Sequence, residues 1–127
     1  MTALPHVTFS ARDDVVVVSP AGDFDISSID MLRAVFLEAV GEETTKVVVD
    51  LAGTTFVDSM AIGVMLGVAR RIHERDGWVR VAAPVPAVRT VLSITGLDKV
   101  FGLFDSVDDA VGYAEPETGA LGTPEFA

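Results

Sequence analysis

The chain has 127 residues, no cysteine and a formal charge of −10 from 19 acidic and nine basic side chains, and half of its residues are hydrophobic. A chain of this length folds as one domain that buries roughly two thirds of its unfolded surface, so disorder and a disulfide-stapled scaffold are both excluded. The acidity repels phosphate backbones and anionic lipid, which argues against direct binding of nucleic acid or a membrane surface.

Residues 1–7 carry no lysine or arginine and no long apolar run, so no signal peptide is expected. The longest apolar run, residues 60–69, is ten residues long, against about 20 for a membrane-spanning helix. It reads as a buried helix segment, and the absence of cysteine fits a reducing cytoplasm.

In chain order, residues 7–10 can pair with a four-valine run at residues 15–18, a strand buried on both faces that Pro20 and Gly22 are expected to end. Apolar positions Ile29, Leu32, Val35, Phe36, Ala39 and Val40 then form a helical stripe closed by Gly41, with Asp25 or Ser27 as its cap. Residues 46–51 (KVVVDL) form a second β-branched strand, and residues 52–57 are expected to be a loop. Ile62, Met65, Leu66, Ala69 and Ile72 mark a long helix that ends in a charged turn at residues 73–77, before a strand at residues 78–83. This strand, helix, strand series makes one right-handed parallel βαβ unit. Pro86 opens a helix through Ile94 with Gly96 as its stop. Residues 100–104 are extended, and Asp105 and Ser106 open a last helix with Asp108 and Asp109 in its first turn. The whole reads as an α/β domain over residues 5–114, a mostly parallel, mixed sheet packed with about four helices. Residues 115–127 shift to Glu, Pro, Gly and Thr and read as a flexible acidic C-terminal tail.

The chemistry concentrates where residues 56–66 (FVDSMAIGVML) leave a strand and enter the long helix. Asp58 and Ser59 sit at that helix N-terminus, where unpaired N–H groups and the dipole favour an anion. A phosphate on Ser59 would add about −1.5 to −2 charges beside Asp58, felt most by an arriving partner surface. The plainer alternative is that Asp58 or Ser59 merely caps the helix, and the pattern alone favours it. Val57, Met60 and Val64 lie around the same helix entrance, either as a partner rim or as core.

Other candidates are weaker. Asp50 ends a hydrophobic strand as a receiver phospho-acceptor does, but Asp13 and Asp14 precede the first strand and no lysine stands before a proline after a late strand. His73-Glu74 is half of a zinc-protease pair whose second histidine would fall at Gly77, and His6 is remote, so no metal site is expected. His73 is expected to be exposed among Arg70, Arg71, Glu74 and Arg75. Gly63 and Gly67 are read as a close helix–sheet approach. Phosphate-binding glycine loops and a G-x-S-x-G elbow are absent, so neither a nucleotide cofactor nor hydrolase activity is indicated, and the chain reads as a non-enzyme.

Three ordered segments resemble the STAS domain family: Gly22-Asp23-Phe24-Asp25; Asp50-Leu51 with Phe56-Val57-Asp58-Ser59; and the stretch from Ile94-Thr95-Gly96-Leu97 to Phe101. They span about residues 15–111, and the nearest subgroup is the bacterial anti-sigma factor antagonists. The resemblance implies a STAS-like fold and a protein that binds an anti-sigma factor with serine kinase activity, thereby releasing a sigma factor. It also implies that phosphorylation of Ser59 turns binding off and that a serine phosphatase restores it. Carried over by position, Asp23, Asp25, Asp58, Ser59, Met60 and Val64 form the partner-binding surface. Met60 and Ala61 depart from the family's small hydroxyl residue and glycine. The alternative is a STAS scaffold or sensor module that binds other proteins or a small ligand without a phosphorylation cycle.

Overall fold

Runs of valine supply side chains that pack on both faces of a sheet, and the computed structural model, which describes residues 4–114, builds its centre from them. Strand β1 (His6–Arg12) pairs antiparallel with β2 (Val15–Phe24) through a tight turn in which Asp13 takes φ 56°. Beyond β2 the pairing is parallel: β3 (Lys46–Asp50), β5 (Trp78–Ala82) and β6 (Gly102–Phe104) follow in the order β1-β2-β3-β5-β6. The expected βαβ unit is present as β3, helix α2 (Ser59–His73) and β5. The expected tail at 115–127 lies outside the described residues.

Two expectations about the strands are corrected. Strand β2 does not end at Pro20 and Gly22 but continues to Phe24. Its register with β3 stops at Val18 opposite Val49, so the missing N–H of Pro20 costs no bond to β3. Gly22, at φ 104°, then donates its N–H to the Gly53 carbonyl at 2.8 Å and opens a second pairing. The partner is β4 (Thr54–Val57), a strand where a loop was expected, and it takes up the place beside β2 that β3 has left. The register shifts between Gly22 and Asp23, which breaks the in–out alternation of β4.

Helices α1 (Ile29–Ala39), α2 and α3 (Pro86–Ile94) supply Phe36, Ile72, Leu92 and their neighbours to the larger core, which takes Val18, Val47, Val49, Val79 and Val81 from the sheet. The period-2 alternation sends Val15, Val17 and Val48 to the opposite face, under α4 (Val107–Gly112). There Arg80, only 4% exposed, lies 3.6 Å from the Trp78 ring centroid and donates to the carbonyls of Ala110 at 2.8 Å and Tyr113 at 3.0 Å. Leu66 is half-buried rather than core, and Ala61 and Val68 complete the buried face of α2.

Helix boundaries follow the stripe, but the cap of α1 differs from expectation. The N-cap position of α1 is Ser28, not Asp25 or Ser27, and its hydroxyl is turned back to donate to the Asp23 carbonyl at 3.1 Å. After α2, Asp76 takes the left-handed turn at φ 60°, whereas Gly77 is needed for close approach, since a Cβ there would lie 2.0 Å from the Thr45 carbonyl oxygen. Arg75 ties the same corner to the loop after α1 by donating to the carbonyls of Gly41 and Thr44 at 2.7 and 2.9 Å, so it leaves the expected exposed cluster. His73 is half-buried rather than exposed, with Nδ1 donating to the Ala69 carbonyl at 2.7 Å.

Candidate functional site

The carboxyl ends of β2 and β4 lie side by side, where open α/β sheets commonly place their sites. Phe24 pairs with Val57, and the Asp58 N–H donates to the Phe24 carbonyl at 3.2 Å, which joins segments more than 30 residues apart. Asp58 then caps α2: its Oδ1 accepts from the N–H of Met60 at 2.9 Å and of Ala61 at 3.0 Å. Ser59 is the first residue of that helix and is exposed, and its hydroxyl makes no hydrogen bond among the described residues. The capping role thus belongs to Asp58 alone. The Ser59 N–H is one of the first-turn donors that no intrahelical carbonyl can reach.

Asp23 and Asp25 stand on the neighbouring strand end. Asp23 is exposed and accepts a hydrogen bond from the Thr55 hydroxyl. Asp25 closes a local turn, accepting from the Ser27 N–H at 2.9 Å and from the Ser27 hydroxyl at 2.6 Å. These bonds, the hydroxyl first, hold the Asp25 carboxyl below the usual carboxylate range. Asp58 thus adjoins a serine hydroxyl that makes no hydrogen bond among the described residues, and Asp23 and Asp25 stand at the end of the strand paired with β4.

The apolar neighbours divide. Met60 is 42% exposed and Val64 is half-buried, but Val57 is 6% exposed and belongs to the core, so it does not rim this surface. Sequence reasoning missed Ile26, which is 72% exposed in the turn after β2, and Phe56, 49% exposed in β4. The sequence pattern assigns neither of them a place, and the feature that turns Phe56 outward is the register shift, which one sequence does not display. Gly63 and Gly67 do not touch the sheet: a Cβ at either would meet nothing within 4 Å. Asp50 is a strand-end carboxylate in a turn, accepting from the Ala52 N–H at 3.1 Å and the Ser19 hydroxyl at 3.4 Å. Among the described residues no three His, Asp or Glu side chains converge to hold a metal, and no helix is long and apolar enough to cross a membrane.

Comparison with known proteins gives this geometry a family. The chain is 30% identical over 98 residues to the anti-sigma F factor antagonist of Paenibacillus polymyxa, a match covering 76% of this chain and 84% of that one. It is 28% identical over 105 residues to the anti-sigma-F factor antagonist RsfB of Mycobacterium tuberculosis, covering 83% and 85%. Among solved structures, an anti-sigma factor antagonist from Mycobacterium paratuberculosis superposes with a TM-score of 0.79 at 27% identity, covering 87% of this chain and 96% of that one. The STAS domain model matches residues 6–110, nearly the whole described chain, and the protein belongs to the STAS domain family.

Proposed function

We propose that this protein is an anti-sigma factor antagonist: it binds an anti-sigma factor that is also a serine kinase, frees a sigma factor, and is switched off when Ser59 is phosphorylated. The observation that carries this reading is the division of labour at the start of α2. Asp58 supplies the cap, so the exposed Ser59 hydroxyl has no structural bond to lose on modification. A phosphate placed there meets the positive end of the helix dipole, so the helix tolerates it. Its added charge of about −1.5 to −2 lands beside Asp23, Asp25 and Asp58, so the same group that the helix tolerates repels an acid-sensitive partner surface. The antagonist names of the relatives support the general role. A serine phosphatase closes the cycle by removing the charge, and the chain itself is substrate and ligand rather than catalyst.

Incubation with ATP and a purified anti-sigma factor of the serine-kinase class should raise the intact mass by one phosphate, and Ser59→Ala should abolish the increment. Wild type and Ser59→Ala should retain that anti-sigma factor on a column, and Ser59→Glu should lose it. An unchanged mass with a kinase proven active on another substrate rejects the phosphorylation switch. Retention of wild type, Ser59→Ala and Ser59→Glu alike would leave a scaffold that Ser59 does not regulate, a reading favoured by the exposed Met60 thioether beside the acceptor.

A further inference from the structure

Gly63 and Gly67 stand in the interior of α2, where glycine weakens a helix relative to alanine. Close packing usually explains such residues, yet apart from the helix's own backbone nothing among the described residues comes within 4 Å of a Cβ built at either position. The open space beside them leaves room for the close approach of another molecule. Both open onto a groove of about 490 Å³ between α1 and α2, walled by Phe36, Leu37, Met60 and Val64. Along α2 the lining positions 60, 63, 64, 67 and 71 share one face for about 16 Å, so the groove begins beside Ser59 and ends at Arg71.

The charge around the groove is opposite to that of the molecule. Arg33 and Arg71 both line it, in a chain with a formal charge of −10. Arg33 holds Asp30 in an exposed pair at 3.0 Å that solvent weakens, and Arg71 makes no ion pair among the described residues. An apolar floor with arginines on its rim fits an amphipathic helix that carries carboxylates, the helix-in-groove mode of recognition. The net charge opposes a second copy of the chain and an anionic lipid in the same place.

We propose that the groove between α1 and α2 receives an acidic amphipathic helix of the anti-sigma factor, its backbone passing close over Gly63 and Gly67 and its carboxylates paired with Arg33 and Arg71. This inference rests on the antagonist reading above and locates part of the partner surface well away from the serine itself. The switch and the grip are then separate: Ser59 gates the entrance, and the groove supplies the apolar contact.

Gly67→Leu and Arg71→Glu test it in the full chain, by calorimetric titration with purified anti-sigma factors of the serine-kinase class. Leucine at position 67 projects into open space and improves helix propensity, so its melting temperature should equal or exceed that of wild type. Each variant should bind at least tenfold more weakly while Ser59 is still phosphorylated by the kinase in solution at high concentration. Wild-type binding that both variants retain overturns the groove and leaves the antagonist reading standing. No binding by wild type overturns both. A dimer of this chain in sedimentation, broken by Gly67→Leu, would assign the groove to a second copy and overturn the proposal.

Discussion

The backbone N–H of Asp58 donates to the carbonyl of Phe24 at 3.2 Å, while the side chain of the same Asp58 accepts from two amides of α2. One residue thus anchors the helix to the strand end and caps it. Because both of these groups serve the fold, the neighbouring Ser59 is left without a structural duty, and the strand end that carries Asp23 is tied to the start of α2.

Removing that cap should destabilise the protein without touching the core. Asp58→Ala leaves the N–H groups of Met60 and Ala61 unpaired at the helix start and is expected to cost about 1 kcal/mol in urea unfolding. Asp58→Asn keeps an acceptor and should recover most of it. Ser59→Ala, which breaks no hydrogen bond, should lie within about 0.5 kcal/mol of wild type. Equal losses for Asp58→Ala and Ser59→Ala would contradict the assignment of the cap.

Met60 and Val57 bracket the same two residues yet should respond in opposite ways. Met60→Asp adds a charge to a side chain that is 42% exposed in a helix first turn, where acids are favoured, so its stability should stay within about 0.5 kcal/mol of wild type. Val57→Asp forces a carboxylate into the core and should cost about 3 kcal/mol. If the surface around Ser59 meets an anti-sigma factor, Met60→Asp should also weaken that complex. Thermal melts and binding titrations of the two variants separate the outcomes, and a large loss of stability in Met60→Asp would place Met60 in the core.

How far the sequence carried this structure depends on the range of the interaction involved. Strand β3 and the buried stripe of α2 were legible because burial repeats locally, every residue in a valine run and every third or fourth in a helix. Strand β4 was not, because its four residues are ordered by pairing with Gly22, Asp23 and Phe24, and a register shift erases its alternation. The glycine step at Gly63 and Gly67 was read as a close approach to the sheet, but both positions face open space, which depends on how the helix is rotated. At the site, Asp58 and Ser59 were visible as a helix entrance, but which of them caps depends on side-chain direction. The outward placement of Ile26 and Phe56 was hidden for a different reason, since apolar identity is read as burial unless the tertiary ladder says otherwise.

The Asp25 turn makes a pH-dependent prediction. Its carboxyl is lowered chiefly by the Ser27 hydroxyl and then by the Ser27 N–H, so Ser27→Ala should move the Asp25 titration upward toward the usual carboxylate range. A folded-state pKa below the unfolded one means that the stabilisation is present above the ordinary carboxylate range and is lost as pH falls through the lowered value. Carboxyl-carbon NMR titration reads this directly. Asp14, lowered instead by its hydrogen bond to Lys46, should not move in the same variant. An Asp25 titration unchanged by Ser27→Ala would show that the hydroxyl does not set it.

Arg80 joins α4 to the sheet through a geometry that lysine cannot reproduce. Its guanidinium lies against the Trp78 ring, with Tyr113 5.1 Å away, while it donates to the carbonyls of Ala110 and Tyr113 at the end of α4. A planar fork can stack and donate at once; an ammonium on a flexible stem has no plane to stack. Arg80→Lys should therefore keep the charge yet cost about 2 kcal/mol, from strained or lost hydrogen bonds to buried carbonyls. The loss should be local, because Arg80 lies against Trp78 and Phe104, which pack on the smaller core under α4, while Ile72 and Phe36 hold the larger one. Native-state hydrogen exchange distinguishes the cases: faster exchange at Ala110 and Val111 with α2 unchanged confirms a local clamp, whereas uniform acceleration would make Arg80 a determinant of global stability.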